Sequence, residues 1–208
     1  KIFLNSLKID RKNFFRVVQV HSNYVCVLKD PDILVSEVGK FEADAIITHI
    51  PNCPIAVLTA DCVPITIYDP IKHVTGLVHA GRMGTQKNIL TKTIEAFSRE
   101  YGSSSKDLIM GMGPAIRGCC YEVNESSALP FIKKYSLCSK FIKKTEKNKF
   151  FLDLPMINRL EGCKAGVLIE NIYADGPCTV CENHRWYSYR KEGKTGRLIT
   201  LAMLQSRE

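Results

Sequence analysis

Short apolar runs rich in β-branched residues alternate with polar turns along most of the chain, and this rhythm predicts strands more often than helices. Strands are expected at Phe15–Val20, Tyr24–Leu28, Ala45–His49 and Ile55–Leu58. The last of these is wholly apolar, as suits a strand buried on both faces. Val63–Tyr68 and Val74–Val78 flank the turn signal Asp69-Pro70 and predict a hairpin. Lys140–Thr145 and Lys149–Leu154 predict a second hairpin around Glu146–Asn148. Leu108–Met112, Val167–Tyr173, Trp186–Tyr189 and Gly196–Met203 complete the expected strands.

Helical periodicity is rarer. Leu90, Ile94, Phe97 and Tyr101 recur at spacings of four, three and four, one apolar stripe that Gly102 ends. Ser126–Tyr135 is expected to be helical but divided by Pro130, and Asp153 with Pro155 marks a further helix start. Residues 1–14 are expected to form a short helix or loop, and Ala80–Thr85 a tight loop between Gly81 and Gly84. Strands outnumber helices without regular βα alternation. The expected class is therefore α+β, a single domain over 1–208 with mixed β-sheets flanked by helices.

Composition narrows the class further. Of the 208 residues, 45% are hydrophobic, enough for a core that needs no disulfide to hold it. No apolar run approaches the ~20 residues that cross a bilayer. The opening segment lacks a signal-peptide core, so a cytoplasmic location is expected and a membrane partner is not. Nine cysteines at irregular spacing read as reduced thiols, with Cys26, Cys53, Cys138 and Cys163 packed among apolar neighbours. The net charge is +8, with seven lysines between Lys133 and Lys149. That run reads as a solvated surface or as attraction for anionic substrates. It has little aromatic interleaving and no nucleic-acid motif, so no nucleic-acid partner is expected.

The chemistry concentrates at the open end of the first hairpin, where Cys62 and His79 would meet. A thiolate beside an imidazole is either part of a metal site or a cysteine nucleophile with its base. His21 also ends a β run, so three donors could converge at one sheet rim. Two imidazoles and one thiolate leave a fourth position open, the pattern of a catalytic zinc, which lowers the pKa of its water to about 7. Asp61 could orient a ligand imidazole or cap a turn. Cys119-Cys120 are expected to pack as ordinary thiols; the alternatives are a redox-sensitive pair or a pair lining the pocket, with Cys120 the substrate-binding candidate. Cys178 and Cys181 have the spacing of half a zinc knuckle, but no partner pair follows them, and a second metal is not expected. Trp186, Tyr187 and Tyr189 are expected to fill core rather than stack on a ligand.

Taken together, TADCVPI, VHAG with its following GT, GPAIRGCCYEV and SYRKEGKTGR resemble the laccase-domain purine nucleoside phosphorylase family, the YfiH-like proteins. QVHS, ADAIIT and ENIYADGPCTVC fit the same pattern, so the resemblance runs over about residues 12–205. It implies a zinc held by His21, Cys62 and His79; Asp61, next to the ligand cysteine, is placed with them in the expected catalytic set on its position alone. It also implies phosphorolysis of adenosine, inosine and methylthioadenosine, and deamination of adenosine by attack at C6 of the purine. Arg82, Lys194 and Arg197 lie in matching motifs and are the candidates, with Cys120, for binding substrate. The expected partners are a small-molecule nucleoside and phosphate; the oligomeric state is left open.

Two departures from the family pattern stand out. Where the family reads HAGWRGT, this chain has Arg82 and Met83 in place of tryptophan and arginine. Family members also carry an N-terminal segment before the first histidine, so its pocket residues are expected to be missing or replaced. Three other functions compete: a cysteine hydrolase using Cys62 and His79, a copper-type polyphenol oxidase, and a non-catalytic peptidoglycan-editing factor. Copper is the weakest, because a multicopper centre needs more imidazoles than five histidines supply.

Overall fold

The computed structural model describes residues 14–30, 40–135, 141–145 and 148–206. The expectations for residues 1–13, for Cys138 and for Glu146 and Lys147 of the second turn lie outside the described residues. The hairpin around Asp69 is the centre of the molecule. Strand β5 (Val63–Asp69) pairs antiparallel with β6 (Val74–Ala80), in a register that sets Pro64 opposite His79 and Asp69 opposite Val74. Asp69 fixes the turn by accepting from the amides of Ile71 and Lys72 at 2.8 and 2.9 Å.

Around this hairpin a six-stranded mixed sheet is built in the order β11-β7-β5-β6-β3-β2. Its remaining members are β2 (Val25–Leu28), β3 (Ala45–Thr48), β7 (Ile109–Met112) and β11 (Ile172–Tyr173). Alternation along β3 divides the core. Ala45 and Ile47 join the cluster on one face, packed with Ile65, Val78, Leu90 and Phe97. Ile46 turns to the other face with its partner Leu77, against Phe15, Ile55 and Val57. Both faces are covered, which is why every residue of β3 and β6 is buried.

One cover is a helix, the other a small sheet. The helix spans Ile89–Tyr101 and buries Leu90, Ile94 and Phe97 of the stripe seen in the sequence, with Ile89 beside them and Tyr101 half-buried. Gly76 lets it approach: a Cβ there would sit 2.9 Å from the Phe97 ring. Gly102 ends the helix in the left-handed conformation, φ 66°. The small sheet has the order β1-β4-β12, from β1 (Phe15–Arg16), β4 (Ile55–Thr59) and β12 (Leu198–Ala202). A third, antiparallel sheet joins β8 (Glu122–Val123), β10 (Phe150–Leu152) and β9 (Ile142–Lys144). It contains the second expected hairpin. The class is α+β, as expected.

Several local expectations are corrected. Residues 80–85 are not simply a loop, since Arg82–Gln86 forms a helical turn that leads into the long helix. Pro130 does not divide its helix, which runs unbroken from Glu125 to Lys134, capped by Asn124 and anchored by buried Ala128 and Phe131. Val167–Tyr173 is strand only at its end, being a 3-10 turn over Ile169–Asn171. Trp186–Tyr189 is not a strand; the chain turns there into a short helix, Tyr189–Glu192. Leu154–Lys164 is helical with Asp153 as its N-cap, as its Pro155 signalled. Within the lysine-rich run, Lys134 is not merely solvated but pairs with the buried carboxylate of Glu161.

Candidate metal centre

His79 is the penultimate residue of β6, and Cys62 immediately precedes β5, so the hairpin brings them to its open end. His21 arrives from the segment between β1 and β2, where it adopts φ 56°, an unusual conformation for a residue with a side chain. The three donor atoms lie within 4.8 Å of one another. Cys62 Sγ is 3.8 Å from His21 Nε2, and the two imidazoles meet edge to face with centroids 4.8 Å apart. Exposure falls across the group: His21 is exposed, Cys62 half-buried and His79 buried. The site therefore faces outward on one side only.

The residue that organises the cluster is Asp44, which was not singled out from the sequence. Its carboxylate is fully buried beneath the two histidines. Oδ1 accepts from His79 Nδ1 at 2.7 Å and from the His21 amide at 3.0 Å. Oδ2 accepts from the Ser22 hydroxyl at 2.7 Å. One carboxylate thus sets the ring of one candidate ligand and the backbone of another. With Nδ1 committed, Nε2 of His79 is left to face the shared space. A clue was present: an aspartate standing at the head of the apolar strand Ala45–Thr48 must be buried with a partner.

The ionisation of the group follows from these bonds. Burial alone would push the Cys62 thiol up, but the imidazoles of His21 and His79 outweigh it and bring the pKa down to about 7. Burial likewise opposes protonation of His79, yet Asp44 and Cys62 raise its pKa to about 9. In the metal-free protein the pair is close to a thiolate–imidazolium. Two imidazoles and a thiolate aimed at one space form a donor set that fits a transition-metal ion. Gly81 keeps that space clear, because a Cβ there would lie 2.9 Å from Cys62 Sγ and 3.0 Å from His21 Cδ2.

Asp61 does not orient an imidazole, contrary to one expectation. Its carboxylate accepts from the Thr179 hydroxyl at 2.6 Å, the Ser188 hydroxyl at 2.7 Å and the Arg190 amide at 2.6 Å. These bonds hold its backbone at φ 90° and so set the direction in which Cys62 leaves the turn.

A cavity of about 550 Å³ opens over the cluster, lined by His21, Cys62 and His79 together with Arg16, Gln19, Thr59, Tyr189 and Arg197 among others. Of the expected substrate residues, Arg197 is on this wall. Lys194 is exposed and not part of it, and Cys120 belongs elsewhere, with three other cysteines. Arg82 is half-buried and donates to the Tyr121 hydroxyl, which itself lies within the electrostatic reach of Cys62. Arg190 lies over that ring, 4.9 Å from its centroid. Tyr187 and Tyr189 are not core residues, being 49% and 61% exposed. The other three histidines stand apart: His49 against Tyr101, His73 beside Tyr68, and His184 exposed.

Fold and site define an α+β protein whose mixed sheet carries a candidate mononuclear metal centre at its rim. The chain belongs to the laccase-domain, YfiH-like family: the profile described as multi-copper polyphenol oxidoreductase laccase matches residues 1–205. It is 36% identical over 163 residues to the purine nucleoside phosphorylase YlmD of Bacillus subtilis, covering 76% of this chain and 57% of that protein. It is 28% identical over 195 residues to the human purine nucleoside phosphorylase LACC1, covering 91% of this chain and 43% of that one. The chain thus spans about half the length of these curated relatives. The crystal structure of the Bacillus licheniformis protein YfiH superposes with a TM-score of 0.90 at 30% identity, over 99% of this chain and 79% of that one. No helix among the described residues is long and apolar enough to cross a membrane.

Proposed function

We propose that the chain is a zinc-dependent purine nucleoside phosphorylase, converting adenosine or inosine and phosphate to the free base and ribose 1-phosphate, and methylthioadenosine to adenine and 5-methylthioribose 1-phosphate. Adenosine deamination would use the same centre. The observation that carries the reading is the His21–Cys62–His79 triangle opening onto a cavity with two arginines and a tyrosine on its wall. Zinc at its usual bond lengths puts a thiolate sulfur about 3.6 Å from an imidazole nitrogen. The corresponding separation here is 3.8 Å. His21 Nε2, Cys62 Sγ and His79 Nε2 would hold the ion, which supplies a Lewis-acid position beside the cavity. The relatives carry the name purine nucleoside phosphorylase, which supports the phosphorolysis.

The chain's own residues divide the remaining work. Asp44 fixes the ring of His79, so that this histidine acts as a ligand rather than as a mobile acid. Arg16 and Arg197 give the cavity positive charge for phosphate, and Tyr189 presents a ring on which a purine can stack. Arg82 lies one position from where the family carries its arginine. Held on Tyr121 near Cys62, it remains a candidate for the anion.

The test is direct. Zinc-loaded protein incubated with adenosine and phosphate should release adenine and ribose 1-phosphate, and Cys62→Ala should abolish the release. Inosine appearing without phosphate dependence would assign deamination. No product from any of the three nucleosides, in protein carrying stoichiometric zinc, overturns the proposal. A cysteine hydrolase needs one base for Cys62, whereas two imidazoles converge on this sulfur, which favours the metal. Zinc-loaded protein that resists covalent labelling at Cys62 would dispose of the hydrolase.

A further inference from the structure

Four more cysteines meet away from the cavity. Cys119 and Cys120 lie in the turn before β8, and Cys178 and Cys181 in the segment after β11. Their four sulfur atoms lie within 4.8 Å of one another. Cys181 Sγ is 3.4 Å from Cys120 Sγ and 3.6 Å from Cys119 Sγ. Two disulfides would draw sulfurs to about 2.05 Å in pairs. Four thiolates around one tetrahedral zinc, at Zn–S of about 2.3 Å, stand about 3.8 Å apart. The observed spacing fits a shared ion and is far too long for paired disulfides.

The backbone is shaped for the same purpose. Cys178 Sγ accepts from the amides of Arg117, Val180 and Cys181, N–H groups that favour the charged sulfur over the thiol. The two segments are also laced together beside the sulfurs. Ala115 and Thr179 amides donate to Pro177 and Ala115 carbonyls at 3.2 and 3.1 Å. The Arg117 guanidinium donates to the carbonyls of Ala174 and Gly176 at 3.0 and 2.7 Å.

We propose that Cys119, Cys120, Cys178 and Cys181 form a second, closed metal centre that binds one zinc ion through four thiolates. Binding releases the thiol protons to solvent and needs no oxidant. With all four positions filled by protein the ion has no vacancy for substrate, so its role is to hold structure. What it holds is specific. Thr179 lies between the two ligands of the Cys178–Cys181 turn, and its hydroxyl is one of three groups that fix Asp61. Through Asp61 the second centre positions Cys62, without touching the substrate cavity. The sequence expectation of ordinary thiols missed this because the partner pair precedes the CxxC spacing by about 60 residues instead of following it. This inference does not depend on the proposed reaction.

Metal analysis and native mass spectrometry on protein purified without chelator test the proposal. Wild type should carry two zinc ions, Cys62→Ala one, and the double variant Cys178→Ser with Cys181→Ser one. Cobalt substituted into Cys62→Ala should show thiolate charge-transfer absorption several-fold stronger than in the double variant, because four sulfurs replace one. Should the double variant fail to fold, the Cys62→Ala protein and alkylation of native wild type still decide. The four thiols should resist iodoacetamide until a chelator is added. Metal-free Cys62→Ala, a disulfide among the four cysteines in peptide maps, or equal alkylation with and without chelator would each overturn the proposal. If only the first centre were misassigned, wild type and Cys62→Ala would each carry one ion with the four-thiolate spectrum.

Discussion

A buried carboxylate that accepts from the His79 ring, the Ser22 hydroxyl and the His21 amide must remain ionised to satisfy all three. Burial would raise the Asp44 pKa, but the bonds from His79 and Ser22 prevail and hold it below the usual carboxylate value. Asp44→Asn keeps the size of the side chain and removes the charge. It should weaken metal binding by roughly 10–100-fold, the usual cost of losing a carboxylate behind a ligating histidine. Competition against a chromophoric chelator measures this, and an unchanged affinity would remove Asp44 from the centre. Cys62 offers a second test. Because its pKa is lowered from 9.0 to about 7, the thiolate fraction in chelator-stripped protein should rise with pH around neutrality. The sign is that of any lowered acid: the charged, nucleophilic form is present above about pH 7 and lost below it. Peptide-resolved alkylation rates should show that midpoint for Cys62, and zinc should suppress the reaction. A midpoint near 9 would mean that the imidazoles do not face the sulfur.

Elements held together by local patterns were legible in the sequence, and those held by distant contacts were not. The Val63–Asp69 and Val74–Ala80 hairpin could be read because alternation, a Pro turn and β-branched residues agree over one short stretch. From it followed the meeting of Cys62 and His79. The helical turn at Arg82–Gln86 was hidden because its residues, RMGTQ, carry no apolar stripe and two glycines bracket its start. Tyr187 and Tyr189 resembled core because aromatic residues usually are; only the tertiary structure shows them facing solvent and the cavity. Asp44 and the four-cysteine group depend on side chains far apart in sequence, which periodicity cannot report. Pro130 is the clearest case of packing overriding propensity. Inside the helix Glu125–Lys134 it cannot donate to the carbonyl one turn back, yet Ala128 and Phe131 are buried on either side and keep the helix whole. Pro130→Ala should therefore stabilise the protein, by ~1–3 kcal/mol given the penalty for an interior proline. Denaturant unfolding checks this, and a loss of stability would show that the proline ring packs better than the alanine can compensate.

At the scale of the molecule, both cysteine-containing centres join segments that no single strand or helix connects. His21, Cys62 and His79 join the loop after β1 to the two central strands, and the four-cysteine group joins the turn before β8 to the segment after β11. Each ion that binds the folded chain and not the unfolded one adds RT ln(1 + [metal]/Kd) to stability. In the saturating range that is about 1.4 kcal/mol per tenfold rise in free zinc for one ion, and twice that for two. Unfolding free energy measured in zinc buffers should accordingly rise about 2.7 kcal/mol per decade in wild type. Cys62→Ala, having lost one centre, should show half the slope. Any residual affinity of unfolded cysteines for zinc lowers both slopes together and leaves their ratio near two. A ratio of one would mean that the two sites do not both load in the native protein, whichever reaction the cavity performs.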